Sequence, residues 1–227
     1  MTRRPTPATW HPAAVLLAVQ LLGVVVFPFI DEARGRAVLA LFGLVVLFLA
    51  VRAVQVSPAL TWISIVLGVP IAILSFAQVA DPANTQLELW SSLLFAIFYF
   101  YTSYALIRYL YEERQVTLDT LLATAATFTV VAWAFAYTYE LVQVIWPGSF
   151  SVPVGGVAGE PRTWFELLFL SFTNLTSVGL SDISPVLPNA RSVVMVEQVA
   201  GLMYVALVIS RVVATTVARQ RTDAGRE

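Results

Sequence analysis

Residues 174–185 read NLTSVGLSDISP. Thr176, Ser177 and Ser181 bring hydroxyls, Asp182 brings a charge, and Gly179 can take backbone conformations closed to residues with a side chain. Val178 and Leu180 are apolar, so the backbone itself is the principal polar feature of the stretch. A strand this short, run extended, leaves carbonyls without partners in the chain, and a dehydrated cation can supply one. The chemistry on offer is coordination of a cation by backbone oxygens from 176 to 182.

The rest of the chain is built for lipid. Of 227 residues, 59% are hydrophobic and 12% charged, with a mean hydropathy of +0.80, which predicts an integral membrane protein. Thirteen arginines and 14 acids leave a net charge of -1, and the basic residues are scattered, so no nucleic-acid partner is expected. Cysteine is absent and the one histidine, His11, sits beside Trp10 ahead of the first apolar run as an interfacial side chain. No span pairs an acid with a base, clusters metal ligands or carries a phosphate-cradling glycine loop, so an enzyme is not predicted.

A membrane-crossing helix needs about 20 apolar residues. Six runs approach that length: 13–30, 37–54, 59–79, 89–110, 120–146 and 190–214. The second reaches it only if Arg52 snorkels. The first follows Arg3 and Arg4 as a signal peptide would, but lacks a small-x-small cleavage site and reads as a retained helix. With both termini cytoplasmic, nine arginines fall inside (3, 4, 52, 108, 114, 211, 219, 221 and 226) and four outside (34, 36, 162 and 191). That bias predicts a multi-pass plasma-membrane protein in this orientation.

Two connections stand apart. YEERQVTLDT, 111–120, is charged and divides a four-helix part, 1–110, from a two-helix part, 120–227, with 111–119 as linker. The stretch 147–189 opens with turn-forming PGSFSVPVGGVAGEP and continues as RTWFELLFLSFTNLT, a helical pattern over 162–176 too short to span. It reads as a re-entrant helix, and 176–182 is its return path through surroundings that must be protein or water.

On these residues the chain resembles tetrameric potassium channels, with SVGLSD where that family has TVGYGD. The likeness continues through ISPV at 183–186, Arg191, and VAG at 199–201, about 100 residues in all. The flanks, VTLDTLLATAATFTVVAWAFAYTYELVQVIWPGSFS and LPNARSVVMVEQVAGLMYVALVISRVVA, look like bacterial six-helix homologues without a large cytoplasmic domain. The resemblance implies an all-α membrane fold of six transmembrane helices plus a re-entrant pore helix and filter loop, assembled as a homotetramer among membrane lipids. It implies passage of monovalent cations, K+ and with it Na+, and no cofactor. Thr176, Ser177, Val178, Gly179 and Leu180 would present oxygens to the ion, with the cation held at Ser177 to Leu180. Asp182 would form an acidic ring at the outer mouth.

Departures from the family's pattern are as informative. Leu180 replaces an aromatic whose hydroxyl ties the filter to its surroundings. Ser181 replaces a glycine that takes positive φ, which disfavours a Cβ by roughly 1 kcal/mol. Ser177 in place of threonine drops a rotamer-fixing methyl. The portion from Ser177 to Gly179 is best kept, so the expectation is a cation path that discriminates potassium from sodium weakly. A non-conducting sensor or scaffold descended from a channel is the alternative.

Other residues carry paired readings. Gly201 is a gating hinge by resemblance or a close-packing point by composition. Leu202, Val205, Ile209 and Val213 recur at helical spacing and line an inner gate or face lipid. Glu197, with Thr173 and Asn174 nearby, is expected to brace the pore helix, with proton sensing as the other reading. Glu140 is expected to snorkel to the outer interface. The acceptor sequence at Asn174 lies where no glycan fits. Phe95, Phe98, Tyr99, Phe100, Tyr101 and Tyr104 read as packing and interfacial anchors. Arg108 stands alone in the fourth span, so little voltage dependence is expected. The 13 residues after the sixth run are too few for a regulatory domain.

Overall fold

The computed structural model describes residues 12–29, 45–46, 48–49, 58–112, 117–152, 156–157 and 159–224. The second apolar run, 37–54, lies outside the described residues save four helical positions, as do both termini and residues 113–116 of the linker. Six helices are named here: α1 Pro12–Val26, α2 Pro58–Ala80, α3 Thr85–Glu112, α4 Leu118–Ile145, α5 Trp164–Leu175 and α6 Pro188–Ala224. Among the described residues there is no strand, and an isolated bridge pairs Phe150 with Pro185. The protein is an all-α membrane protein. Among the described residues three helices are long and apolar enough to cross a bilayer, within Thr85–Glu112, Thr120–Ile145 and Pro188–Arg211, while α1 and the apolar part of α2 are shorter.

Local chemistry sets where the helices begin. Asn84 Oδ1 accepts from the amides of Gln86 at 3.1 Å and Leu87 at 3.3 Å, opening α3. Thr117 and Thr120 form a reciprocal capping box at the start of α4, and Thr163 and Glu166 do the same for α5. Inside the spans hydroxyls bond back to their own helices, as Thr102 to the Phe98 carbonyl at 2.9 Å and Thr127 to that of Ala123 at 2.7 Å. That satisfies them where lipid offers no partner.

Helices α3 and α4 make the most extensive contact. Phe95, Phe98 and Tyr99 of α3 fill the space opposite Ala126, Val130, Trp133 and Ala134 of α4. Tyr99, Trp133, Trp164 and Tyr137 close a four-ring cycle, with successive centroids 5.7, 5.0, 5.4 and 5.6 Å apart. The short α5 is thereby clamped at its first residue to the long helices. Phe27, just beyond α1, stacks on Phe165 at 4.6 Å and secures the same end of α5.

Helix α6 stands differently. It packs on α5 and α4 along one side only and leaves Met195, Val196, Val199, Leu202, Met203 and Ile209 uncovered. Its 37 residues extend about 55 Å, longer than the hydrocarbon layer, and its apolar window closes at Arg211.

Candidate ion-conduction site

Helix α5 enters from the loop after α4 and ends at Leu175, and the chain returns through 176–187 to α6. Its start is fixed by Gln143, whose side chain donates to the Arg162 carbonyl at 2.8 Å and accepts from the Arg162 amide at 2.9 Å. Thr173 and Asn174 are buried, whereas Thr176 to Leu180 are uncovered by their own chain.

The backbone of the return is ordered by the end of α5. The amide of Ser177 donates to the Asn174 carbonyl at 2.9 Å, and the amides of Val178 and Gly179 both donate to the Thr173 carbonyl at 3.0 Å. Each peptide unit is planar and trans, so an N–H aimed at α5 sends the carbonyl of the same unit the other way. The carbonyls of Thr176, Ser177 and Val178 are thus turned from α5 toward the uncovered side. Left-handed φ values of 60° at Ser177 and 69° at Gly179, on either side of Val178, allow successive units to share that facing.

Above Gly179 the loop takes a shape of its own. Among the described non-glycine residues Ser177 alone has positive φ, so Ser181 does not adopt the conformation expected of a replaced glycine. Its hydroxyl instead accepts from the Ile183 amide at 3.3 Å, a local turn that directs the chain toward α6. Leu180 is 75% exposed and Asp182 is exposed beyond it. The upper segment is tied to the loop after α4 by Ser151 N to Ser184 O at 2.9 Å and Val186 N to Ser149 O at 2.8 Å.

Glu197 lies fully buried behind this loop, on α6. Tyr139 of α4 donates to its Oε2, and the Ser171 hydroxyl of α5 bridges its Oε1 and the Ala132 carbonyl. Asn174 is within reach of the same carboxyl, and its Nδ2 has no hydrogen-bond partner among the described residues. One carboxyl therefore joins three helices. Thr173 acts separately, through the carbonyl that holds the return loop. Tyr139 and Ser171 are not foreshadowed by any motif; a buried acid in an apolar helix signals that donors must exist, but not which helices bring them.

Gly201 meets the end of α5 so closely that a Cβ there would lie 2.1 Å from the Leu175 carbonyl oxygen. From the next residue onward, Leu202, Val205, Ile209 and Val213 are all uncovered, at 67%, 44%, 58% and 56%. Glu140, near the end of α4, accepts at its Oε2 from Ser92 of α3 at 2.9 Å.

Residues 124–218 match the family model described as ion channel. The match begins within α4, takes in α5 and the return loop, and ends within α6, and over these residues the chain is similar to ion channels. No curated protein and no solved structure matches the chain.

Proposed function

We propose that four copies assemble around an axis lined by the 176–182 loops and pass monovalent cations, K+ with weak discrimination against Na+. The observation that carries this reading is the common facing of the Thr176, Ser177 and Val178 carbonyls, anchored by three amide bonds to the end of α5. One loop cannot enclose an ion, whereas four would stack rings of oxygens in place of its hydration shell. The unpartnered apolar side of α6 is what neighbouring subunits and a central cavity would cover, with Leu202, Val205, Ile209 and Val213 facing that cavity. Asp182 would gather cations at the mouth. No cofactor is needed for passive flow.

Weak discrimination follows from the upper loop. With Leu180 uncovered and Ser181 engaged in a turn, carbonyl rings above Val178 lack the amide anchoring found below. We place the protein in the plasma membrane with both termini cytoplasmic, the orientation favoured by the arginine bias.

The test is a bi-ionic recording in planar bilayers, K+ on one side and Na+ on the other, with Gly179→Asp as the blocked control. A reversal potential well short of the potassium equilibrium value is expected. A value at that limit would sink the weak-selectivity reading, and flux no greater than that of Gly179→Asp would sink conduction altogether, leaving a sensor or scaffold.

A further inference from the structure

Glu197 of α6 is 0% exposed, and its two carboxyl oxygens meet the hydroxyls of Tyr139 on α4 and Ser171 on α5. The Ser171 hydroxyl has a second neighbour, the Ala132 carbonyl of α4, at 2.8 Å. Three contacts therefore join oxygen to oxygen at hydrogen-bonding separation: Tyr139 with Oε2, Ser171 with Oε1, and Ser171 with the Ala132 carbonyl. Each needs a hydrogen, and a hydroxyl carries one. Tyr139 and Ser171 bring two hydrogens between them, while a carboxylate and a carbonyl bring none because both only accept.

We infer that Glu197 is a proton-binding site: the third hydrogen sits on Oε1, so that the carboxyl donates to Ser171, Ser171 donates to the Ala132 carbonyl, and Tyr139 donates to Oε2. The surroundings select a proton over any other cation. The chain has no lysine, its one histidine is His11, and among the described residues no arginine is paired with Glu197. Tyr139 is the titratable side chain that faces it from α4, and α5 presents Ser171 and Asn174, neither of which titrates. An N–H given by Asn174 would go to the carboxyl directly and leave the Ser171 contacts still one hydrogen short. The oxygens touch one another, so no space is left for a metal ion, which would hold them apart around itself.

The proton bears on the return loop. Ser171 stands two residues before Thr173, whose carbonyl receives the Val178 and Gly179 amides. Without the proton, Ser171 has one hydrogen for two acceptors, and α5 loses its tie either to α6 or to the α4 backbone. The support beneath the loop is complete while Glu197 keeps its proton and weakens as alkali removes it.

The inference concerns the packing of one chain and not conduction, so it is tested without ion flux. Infrared spectra of full-length wild type and Glu197→Gln are subtracted at neutral pH in detergent. A protonated carboxyl has a C=O stretch well separated from the bands of a carboxylate, and the difference spectrum should show it in wild type. In Tyr139→Phe the band should persist and move to higher frequency, because Oε2 has lost its donor. The folded chain holds a proton that the unfolded chain releases, so from neutral pH upward the wild-type folding equilibrium should fall by up to about tenfold more per pH unit than that of Glu197→Gln. Thermal melts across pH read this as a steeper loss, and Tyr139, present in both proteins, cancels in the comparison.

A difference spectrum without the carboxylic-acid band overturns the inference and leaves a charged carboxylate, with Ser171 sharing one hydrogen between two acceptors. Equal pH dependence of melting in wild type and Glu197→Gln overturns it as well. If Glu197→Gln does not fold, wild type against Tyr139→Phe decides: a carboxylic-acid band that moves supports the site, and a spectrum without such a shift overturns it.

Discussion

Gly201 of α6 rests on the backbone of Leu175, the last residue of α5, with room for no side chain: a Cβ would sit 2.1 Å from the Leu175 oxygen and 2.8 Å from its carbonyl carbon. The glycine is where the inner helix touches the base of the return loop. Gly201→Ala must push α6 from α5, at a cost of about 1–3 kcal/mol for overpacking. Its melting temperature in detergent should fall, and Gly201→Val should fall further. If Gly201→Ala instead melts with wild type while open probability drops, the residue serves as a hinge and not as a packing point.

Glu197 can be separated into charge and hydrogen bonding. Glu197→Gln keeps an acceptor for the Tyr139 hydroxyl and places a donor toward Ser171, which can pass its own hydrogen to the Ala132 carbonyl. It should be nearly silent in thermal unfolding. Glu197→Leu strands the Tyr139 hydroxyl and should cost about 1–3 kcal/mol. Equal losses in the two variants would mean that the carboxylate charge itself is required.

The return loop makes two opposite predictions at neighbouring positions. Gly179 has φ of 69°, so Gly179→Ala is strained by about 1 kcal/mol or more even though nothing lies within 4 Å of the added carbon. Ser181 has no such conformation to relieve, and Ser181→Gly removes the bond to the Ile183 amide but leaves Leu180 uncovered and the upper amides unanchored, so it should destabilise slightly and leave the K+ to Na+ permeability ratio unchanged. A sharp rise in potassium preference in Ser181→Gly would contradict this account of the upper loop.

Gln143 secures the start of α5 by a reciprocal pair with the Arg162 backbone. Gln143→Leu leaves a buried amide and a buried carbonyl unpaired, each worth about 1–3 kcal/mol. Lowered thermal stability and faster hydrogen exchange at the amides of α5 are the expected readouts. Protection equal to wild type would show that the aromatic cycle through Trp164 holds the helix alone.

Much of the architecture was legible beforehand because membranes impose length. The long apolar runs at 89–110 and 120–146 emerged as α3 and α4, and the pattern at 162–176, too short to span, emerged as the 12-residue α5. Position along the helix was legible too, since a buried acid such as Glu197 has to find donors. At Ser181 the family pattern pointed to an altered upper loop, but the turn that the serine hydroxyl makes is not revealed by spacing alone. The partner of Glu140 was not legible for a similar reason, because Ser92 lies 48 residues away in the chain and only helix pairing brings it near.

The sequence by itself determined that this is a membrane protein, that 174–185 is the one glycine-dependent polar return among apolar runs, and which residues could turn carbonyls toward an ion. Hydropathy and helix length are local sums, and a chain carries them without folding. The tertiary structure decided which peptide units face away from α5, which helix supplies each donor to Glu197, and why position 201 admits no side chain. Those depend on distances between residues far apart in the chain, fixed only when α4, α5 and α6 pack together.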